Sequence, residues 1–271
     1  MRILITGASG FLGGKLLRAL SFQDMRVSVA LRHNLNVFDV PLYVVGELSE
    51  FTDWSDAVAG QDVVIHAAAR AHSMGADAKG CAADYQRVNV SGTLKLAQQA
   101  ARAGVRRFIF ISSIGVNGNV SKRPFSADEH PHPAEAYAQS KWQAEQALWE
   151  IQKQTGMEIV IIRPPLVYGP DAPGNFGILV RWVEKGVPLP LGAIYNKRSL
   201  VGIDNLVDLG PGEDQEPIIC GPLTIDLFRH KVTRDGADVH LTPKEFSLVY
   251  YLARNEGRDI WNEGPQILQD A

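Results

Sequence analysis

Cysteine is scarce in this chain: there are two among 271 residues, Cys81 and Cys220. They lie far apart and without metal-ligand spacing. That excludes a disulfide framework and a cysteine-built metal centre, and it reads as two free thiols in a reducing cytoplasm. No apolar stretch is long enough to span a bilayer, and the first residues run into a strand rather than a signal peptide, so no membrane association is expected. Basic charge is not in excess either. A formal net charge of −3 gives no general reason to expect nucleic acid as a partner. Internal repeats and low-complexity tracts are missing, which excludes repeat architectures. What remains, 45% hydrophobic and 21% charged, suits one large or two modest globular domains.

The charge is unevenly placed. From Pro211 to Ala271 six Lys/Arg stand against eleven Asp/Glu, an excess of five negative charges, while 21 stand against 19 before it. The stretch Leu209-Gly210-Pro211-Gly212-Glu213-Asp214-Gln215-Glu216-Pro217 is dense in Gly, Pro and acid. It predicts a linker over 209–216 between a domain at 1–208 and a tail at 217–271.

At the start of the chain the apolar run Arg2–Thr6 breaks into Gly7-Ala8-Ser9-Gly10-Phe11-Leu12-Gly13. Strand, tight turn and helix is the reading. Such a turn aims backbone N–H groups and a helix N-terminus at one spot, where a pyrophosphate can sit. Gly7 permits the turn, Gly10 lets the backbone approach phosphates, and Gly13 lets the helix lie close. The dinucleotide contacts expected are Gly7, Ser9, Gly10, Phe11, Leu12 and Gly13, whereas Leu16 and Leu17 read as core.

Through residue 208 strand and helix patterns alternate, which favours a parallel sheet covered on both faces. Strands are expected at Arg2–Thr6, Val27–Leu31, Leu42–Val45, Val63–His66, Phe108–Ser112 and Ile159–Arg163. Helices are expected at Phe11–Leu20, Trp54–Val58, Gln86–Ala103, Ala134–Thr155 and Phe176–Lys185. The fold class is α/β: a Rossmann-type doubly wound parallel sheet, with a small antiparallel β plus helix tail; the family resemblance given below further implies a truncated substrate domain.

Tyr137-Ala138-Gln139-Ser140-Lys141 puts a phenol and an ammonium four residues apart on one helix face. Alone, that spacing fits many solvated helices. Ser112-Ser113 adds to it, because ligands of doubly wound sheets bind beyond the carboxyl ends of the strands, where the glycine turn also lies. An adjacent Lys⁺ and an oxidised nicotinamide both favour the phenolate, which would lower the tyrosine pKa. Tyr137 would then exchange a proton with a substrate oxygen that Ser113 holds, and Lys141 would reach the nicotinamide ribose.

Thr6–Gly13, His66-Ala67-Ala68-Ala69, Asn89-Val90-Ser91-Gly92-Thr93, Ser112-Ser113, Tyr137–Lys141 and Arg163-Pro164-Pro165-Leu166-Val167-Tyr168-Gly169-Pro170 stand in one order and spacing. As a set over residues 1–208 they resemble the extended short-chain dehydrogenase/reductase family, the NAD(P)-dependent epimerase/dehydratase group that acts on nucleotide sugars. The resemblance implies Ser113, Tyr137 and Lys141 as catalytic residues, with Ala67, Ala68 and Ala69 along the nicotinamide side of the cofactor. It implies Asn89 as a structural residue nearby, and Glu47 and Leu48 as adenine contacts. A homodimer is an assembly it admits. Segment 176–208 looks nearest to bacterial 4-epimerases and 4-keto-reductases of UDP-hexoses, and nothing in the residues separates the two. Arg198, and Asn175 after Pro173-Gly174, are the implied contacts to the sugar-nucleotide diphosphate. Both also fit solvated loops.

Cofactor choice follows from charge. An acidic residue after the second strand would bind the ribose hydroxyls of NAD and repel a 2′-phosphate. Here Leu31 is followed by Arg32, which favours NADP over NAD through a bidentate contact, unless Arg32 is simply a surface residue.

After 208 the pattern changes. Leu223–Leu227 and Lys231–Thr233 read as short strands, and Arg234-Asp235-Gly236 as a hairpin turn leading to Val239-His240-Leu241. Thr242-Pro243-Lys244-Glu245 reads as a helix start. Residues 217–260 resemble the beginning of the winged-helix output domain of response regulators, without the recognition helix. DNA binding by an acidic tail lacking that element is not expected. The rival expectations are a dinucleotide-binding protein without turnover, since the substrate half looks incomplete, and a regulator acting through its tail.

Overall fold

The computed structural model describes residues 1–21, 25–35, 38–71, 82–121, 123–173, 177, 178, 182, 185, 199–208, 218–220, 223–226, 231–234 and 236–239. Two compact units divide the chain, Met1–Asp208 and Leu209–Ala271.

In the first unit, six apolar runs form β1 (Arg2–Thr6), β2 (Arg26–Leu31), β3 (Leu42–Val44), β4 (Val63–His66), β5 (Arg107–Ile111) and β6 (Glu158–Ile162). They pair in parallel in the order β3-β2-β1-β4-β5-β6. This is the doubly wound arrangement, whose order reverses between β1 and β4. Each strand lies within one residue of its expected bounds.

Alternate residues of the central strands feed opposite faces, as the two-residue period of a strand requires. Ile3 and Ile5 of β1, Val27, Val29 and Leu31 of β2, and Val63 and Ile65 of β4 pack with Leu17 on one side. Leu4, Val64, Phe108 and Phe110 pack on the other with Leu96, Ala144 and Leu148. Burial on both faces explains why the strands read as continuous apolar runs.

The helices are α1 (Phe11–Ser21), α2 (Ser55–Val58), α3 (Thr93–Arg102), α4 (Ala136–Thr155) and α5 (Ile203–Asp208). Gly156 closes α4 at φ +74°, and its N–H donates to the Gln152 carbonyl at 2.8 Å. The helix expected over Gln86–Ala103 has two parts. Tyr85–Gly92 winds as a π-helix and continues into α3. Tyr85 and Asn89, four residues apart within it, are both buried. Two three-residue strands, β7 (Leu166–Tyr168) and β8 (Leu200–Gly202), pair in parallel, with Leu166 opposite Leu200. Neither they nor α5 carried a readable pattern.

The second unit contains an antiparallel sheet in the order β12-β11-β10-β9, built from β9 (Ile218–Cys220), β10 (Leu223–Asp226), β11 (Lys231–Arg234) and β12 (Ala237–Val239). Ile225 and Val232 sit opposite each other in register, and both are buried. Strand β9 was not anticipated. The linker 209–216, the helix start Thr242–Glu245 and Cys81 lie outside the described residues, as does most of the helix expected at Phe176–Lys185. Among the described residues no helix is long and apolar enough to cross a membrane.

Candidate active site

The turn after β1 is too tight for side chains at two of its glycines. Gly7 has φ +77°, and a Cβ there would stand 2.6 Å from the Ala68 nitrogen and 2.8 Å from the Ala67 carbonyl carbon. A Cβ on Gly13 would fall 2.2 Å from the Gly7 oxygen. The turn is thus pressed against the segment leaving β4, across the point where strand order reverses. Gly10 N–H donates to Gly7 O, and Gly14 N–H to Gly10 O, each at 2.9 Å. The N–H groups of Phe11, Leu12 and Gly13 head α1 and have no intrahelical acceptor. Ser9 and Gly10 are exposed, while Phe11 and Leu12 are half-buried. A cradle that excludes side chains and offers amides at a helix start fits a dinucleotide pyrophosphate.

Behind the turn stands a buried polar chain. Thr6 Oγ1 lies 2.6 Å from His66 Nδ1, and His66 Nε2 lies 2.9 Å from Thr93 Oγ1. The Ala68 N–H donates to Thr6 Oγ1 at 3.3 Å. His66 is fully buried, with Phe110 stacked on it at 5.9 Å. Burial first, and the Lys141 charge second, push its pKa down to about 3, so the imidazole is neutral. This chain braces Ala67–Ala69, the segment expected beside a nicotinamide.

Asn89 fixes the next element. Its Nδ2 donates to the Arg70 carbonyl at 3.1 Å and to Ser140 Oγ at 3.0 Å. Its Oδ1 accepts from the Arg70 N–H at 2.8 Å. One buried amide therefore ties the chain leaving β4 to α4, the helix that carries Tyr137 and Lys141.

Lys141 is 2% exposed; its Nζ donates to the Ile111 carbonyl at 2.7 Å and lies 4.3 Å from the Phe110 ring centre. The ammonium is thereby anchored to the end of β5, two residues before Ser113. Burial lowers its pKa to about 7, and Glu145 works against that shift. Ser113 Oγ accepts from the Gly115 N–H at 3.1 Å. A Cβ on Gly115 would lie 3.3 Å from the Ala138 Cβ and 3.4 Å from Ser113 Oγ, so the Ser113 turn packs beside Tyr137 on α4. Lys141 and Ser113 thus lie at the end of β5, with the turn of α4 that bears Tyr137 packed beside Ser113.

The phenol corrects one expectation. Tyr137 is pushed up to about 12, by burial first and then by Tyr85, whose ring meets it edge-on at 6.0 Å. The lowering expected from Lys141 does not outweigh these two effects. Tyr137 is therefore a protonated phenol at neutral pH.

A cluster not anticipated lies one turn further along α4. Glu145 is fully buried; its carboxylate accepts from Arg163 Nε at 3.0 and 3.2 Å, from Arg163 Nη2 at 2.5 Å, and from the Ser112 hydroxyl. Arg163 Nη1 donates to Asn117 Oδ1 at 3.1 Å. The available signal was the four-residue step from Lys141 to Glu145, which puts both on one face.

At the adenosine end, Arg32 pairs with Glu47 at 3.4 Å, with side chains 59% and 55% exposed. The arginine read as an open 2′-phosphate ligand already has an acidic neighbour. Leu48 is buried in the core rather than open to the crevice. Asn175 and Arg198 lie outside the described residues.

The sequence matches the NAD dependent epimerase/dehydratase family over residues 3–209. It is 46% identical over 211 residues to a UDP-glucose 4-epimerase of Vibrio cholerae, covering 76% of this chain and 64% of that protein. It is 31% identical over 209 residues to the N-acetyl-alpha-D-glucosaminyl-diphospho-ditrans,octacis-undecaprenol 4-epimerase of Escherichia coli O157:H7, covering 76% and 61%. The chain thus spans less than two thirds of the length of these relatives. Its fold is similar to the crystal structure of UDP-glucuronic acid 4-epimerase from Bacillus cereus in complex with UDP-glucuronic acid and NAD. The TM-score is 0.66 at 27% identity, over 76% of this chain and 71% of that one.

Proposed function

The chain belongs to the NAD dependent epimerase/dehydratase family, and from that premise we propose that it is a cytoplasmic enzyme inverting C4 of a UDP-hexose. The observation that carries this reading is the Lys141 ammonium bonded to the Ile111 carbonyl, on the helix face of Tyr137 and at the strand end that bears Ser113. Gly7, Gly10 and Gly13 would hold the cofactor pyrophosphate, Ala67–Ala69 would flank its nicotinamide, and Lys141 would hold the ribose beside it. A bound NAD or NADP supplies the two-electron acceptor for the sugar carbon. Tyr137 moves the proton at Oη, taking it from the C4 hydroxyl and returning it to the same oxygen after the sugar has turned over. Ser113 Oγ fixes that oxygen by a hydrogen bond. Burial and Tyr85 oppose the phenolate, and the Lys141 charge together with that of a bound oxidised nicotinamide would favour it.

Arg32 favours NADP and Glu47 opposes it, so the preference for NADP is small. Asn175 and Arg198 are the proposed contacts to the substrate diphosphate.

The test is fluorescence titration of the purified chain with NADH and NADPH, with a coupled assay for interconversion of UDP-glucose and UDP-galactose. Cofactor binding with interconversion is expected. Binding without turnover of any UDP-hexose overturns the reading in favour of a non-catalytic dinucleotide-binding protein.

A further inference from the structure

We propose that Glu145, clamped by Arg163 and Ser112, is a positioning residue that sets the charge of the Tyr137–Lys141 pair and locks its helix to the ends of β5 and β6. This deepens the reading above and rests on it for its catalytic meaning.

The clamp is closed on all sides. Two Arg163 nitrogens and the Ser112 hydroxyl all point at one carboxylate that has no exposure to solvent. Arg163 is only 18% exposed, its fourth contact goes to Asn117, and its guanidinium lies 5.8 Å from the Trp142 ring. Each partner belongs to a different piece of the site. Ser112 precedes Ser113, Arg163 follows β6, and Glu145 lies one helical turn beyond Lys141. A loosened clamp would shift Ser113 and Lys141 together.

Charge gives the clamp a second role. The groups facing Lys141 are Tyr137 and Glu145 from its own helix, neutral His66 from β4 and the Phe110 ring from β5. Tyr85 faces Tyr137 from the π-helix, and Arg163 stands across Glu145. Glu145 is thus paired with Arg163, and its charge also favours the Lys141 ammonium one helical turn away. Arginine does not give up its proton in a protein, whereas a buried lysine does so readily. Any loss of negative charge here therefore falls on Lys141. Loss of Arg163 has the opposite effect, leaving Glu145 to Lys141 alone.

The opposed signs make the test. The purified chain is labelled with [ε-¹³C]lysine, Lys141 is assigned with Lys141→Met, and its titration is followed by NMR. Glu145→Gln moves the midpoint to lower pH, and Arg163→Met moves it to higher pH. Each displacement is about one pH unit or more, as expected for a neighbouring charge in a buried site. The alkaline limb of kcat/KM for UDP-hexose interconversion moves in the same two directions. A purely structural clamp lowers activity in both variants without opposed midpoints. If Glu145→Gln alone does not fold because Arg163 is left unpaired, the double variant is compared with Arg163→Met, and adding Glu145→Gln must lower the midpoint. Midpoints that stay put, or move together, overturn the assignment even where the wild-type chain turns over substrate. Opposed midpoints in the two variants, where the wild-type chain turns over no UDP-hexose, support the clamp and sink the proposed reaction instead.

Discussion

Asn89 and Arg70 exchange two hydrogen bonds, the Arg70 N–H to Oδ1 at 2.8 Å and Nδ2 to the Arg70 carbonyl at 3.1 Å. The side chain thus acts as a strand edge for a piece of backbone that has left the sheet. Replacing Asn89 by Leu leaves that backbone and Ser140 without these partners. The expected cost is about 1–3 kcal/mol of stability, measured by urea unfolding. A change within error would show that water replaces the amide freely.

Gly13→Ala tests the turn. Its methyl would stand 2.2 Å from the Gly7 oxygen, so either α1 or the turn must move. Over-packing of this kind costs about 1–3 kcal/mol, and the expected reading is a loss of NADH affinity of about tenfold or more. Unchanged affinity would remove the turn from the binding site.

Tyr137→Phe should abolish interconversion, a loss of at least about a hundredfold, the lower range for a positioned acid–base group. Affinity for NADH should be retained. Retained turnover would take Tyr137 out of the mechanism.

Glu47→Gln frees Arg32 from its acidic neighbour. The ratio of NADPH to NADH affinity should rise about fivefold, the scale of one exposed charge pair. Paired titrations of the two nucleotides measure it, and a ratio that falls or stays level overturns the role given to Arg32.

His66 makes stability pH-dependent. Its folded pKa is about 3 against an ordinary 6.5, so between those values the unfolded chain takes up a proton that the folded one refuses. Its contribution is complete above pH 6.5 and is lost as pH falls towards 3, at up to about 1.4 kcal/mol per pH unit. Urea unfolding at pH 7, 5.5 and 4.5 should show this slope, and His66→Gln should reduce it.

The sheet was legible because its central strands are buried on both faces and its strands are bounded by Gly, Pro or polar residues. The glycine turn was legible because backbone contact at Gly7 and Gly13 forbids any other residue. Tyr137, Lys141 and Ser113 could be proposed from spacings on predicted elements taken together with the family resemblance. Less visible were contacts made only by folding. Glu145 and Arg163 are 18 positions apart, and each alone reads as a surface charge. The pairing of Arg32 with Glu47 joins two strand ends that sequence treats separately. Strands β7 and β8 have three residues each, too few for any period to emerge. The width of the winding at Tyr85–Gly92 has no propensity signature at all.

That wide coil has a consequence for anyone shortening the chain. Removing one residue from it would draw the coil toward ordinary winding, and the side chains within Tyr85–Gly92 would change the directions they face. Tyr85 would swing away from Tyr137 while the far-ultraviolet spectrum still looked healthy. A protein altered in this way would pass every check of helical content with its packing around Tyr137 lost.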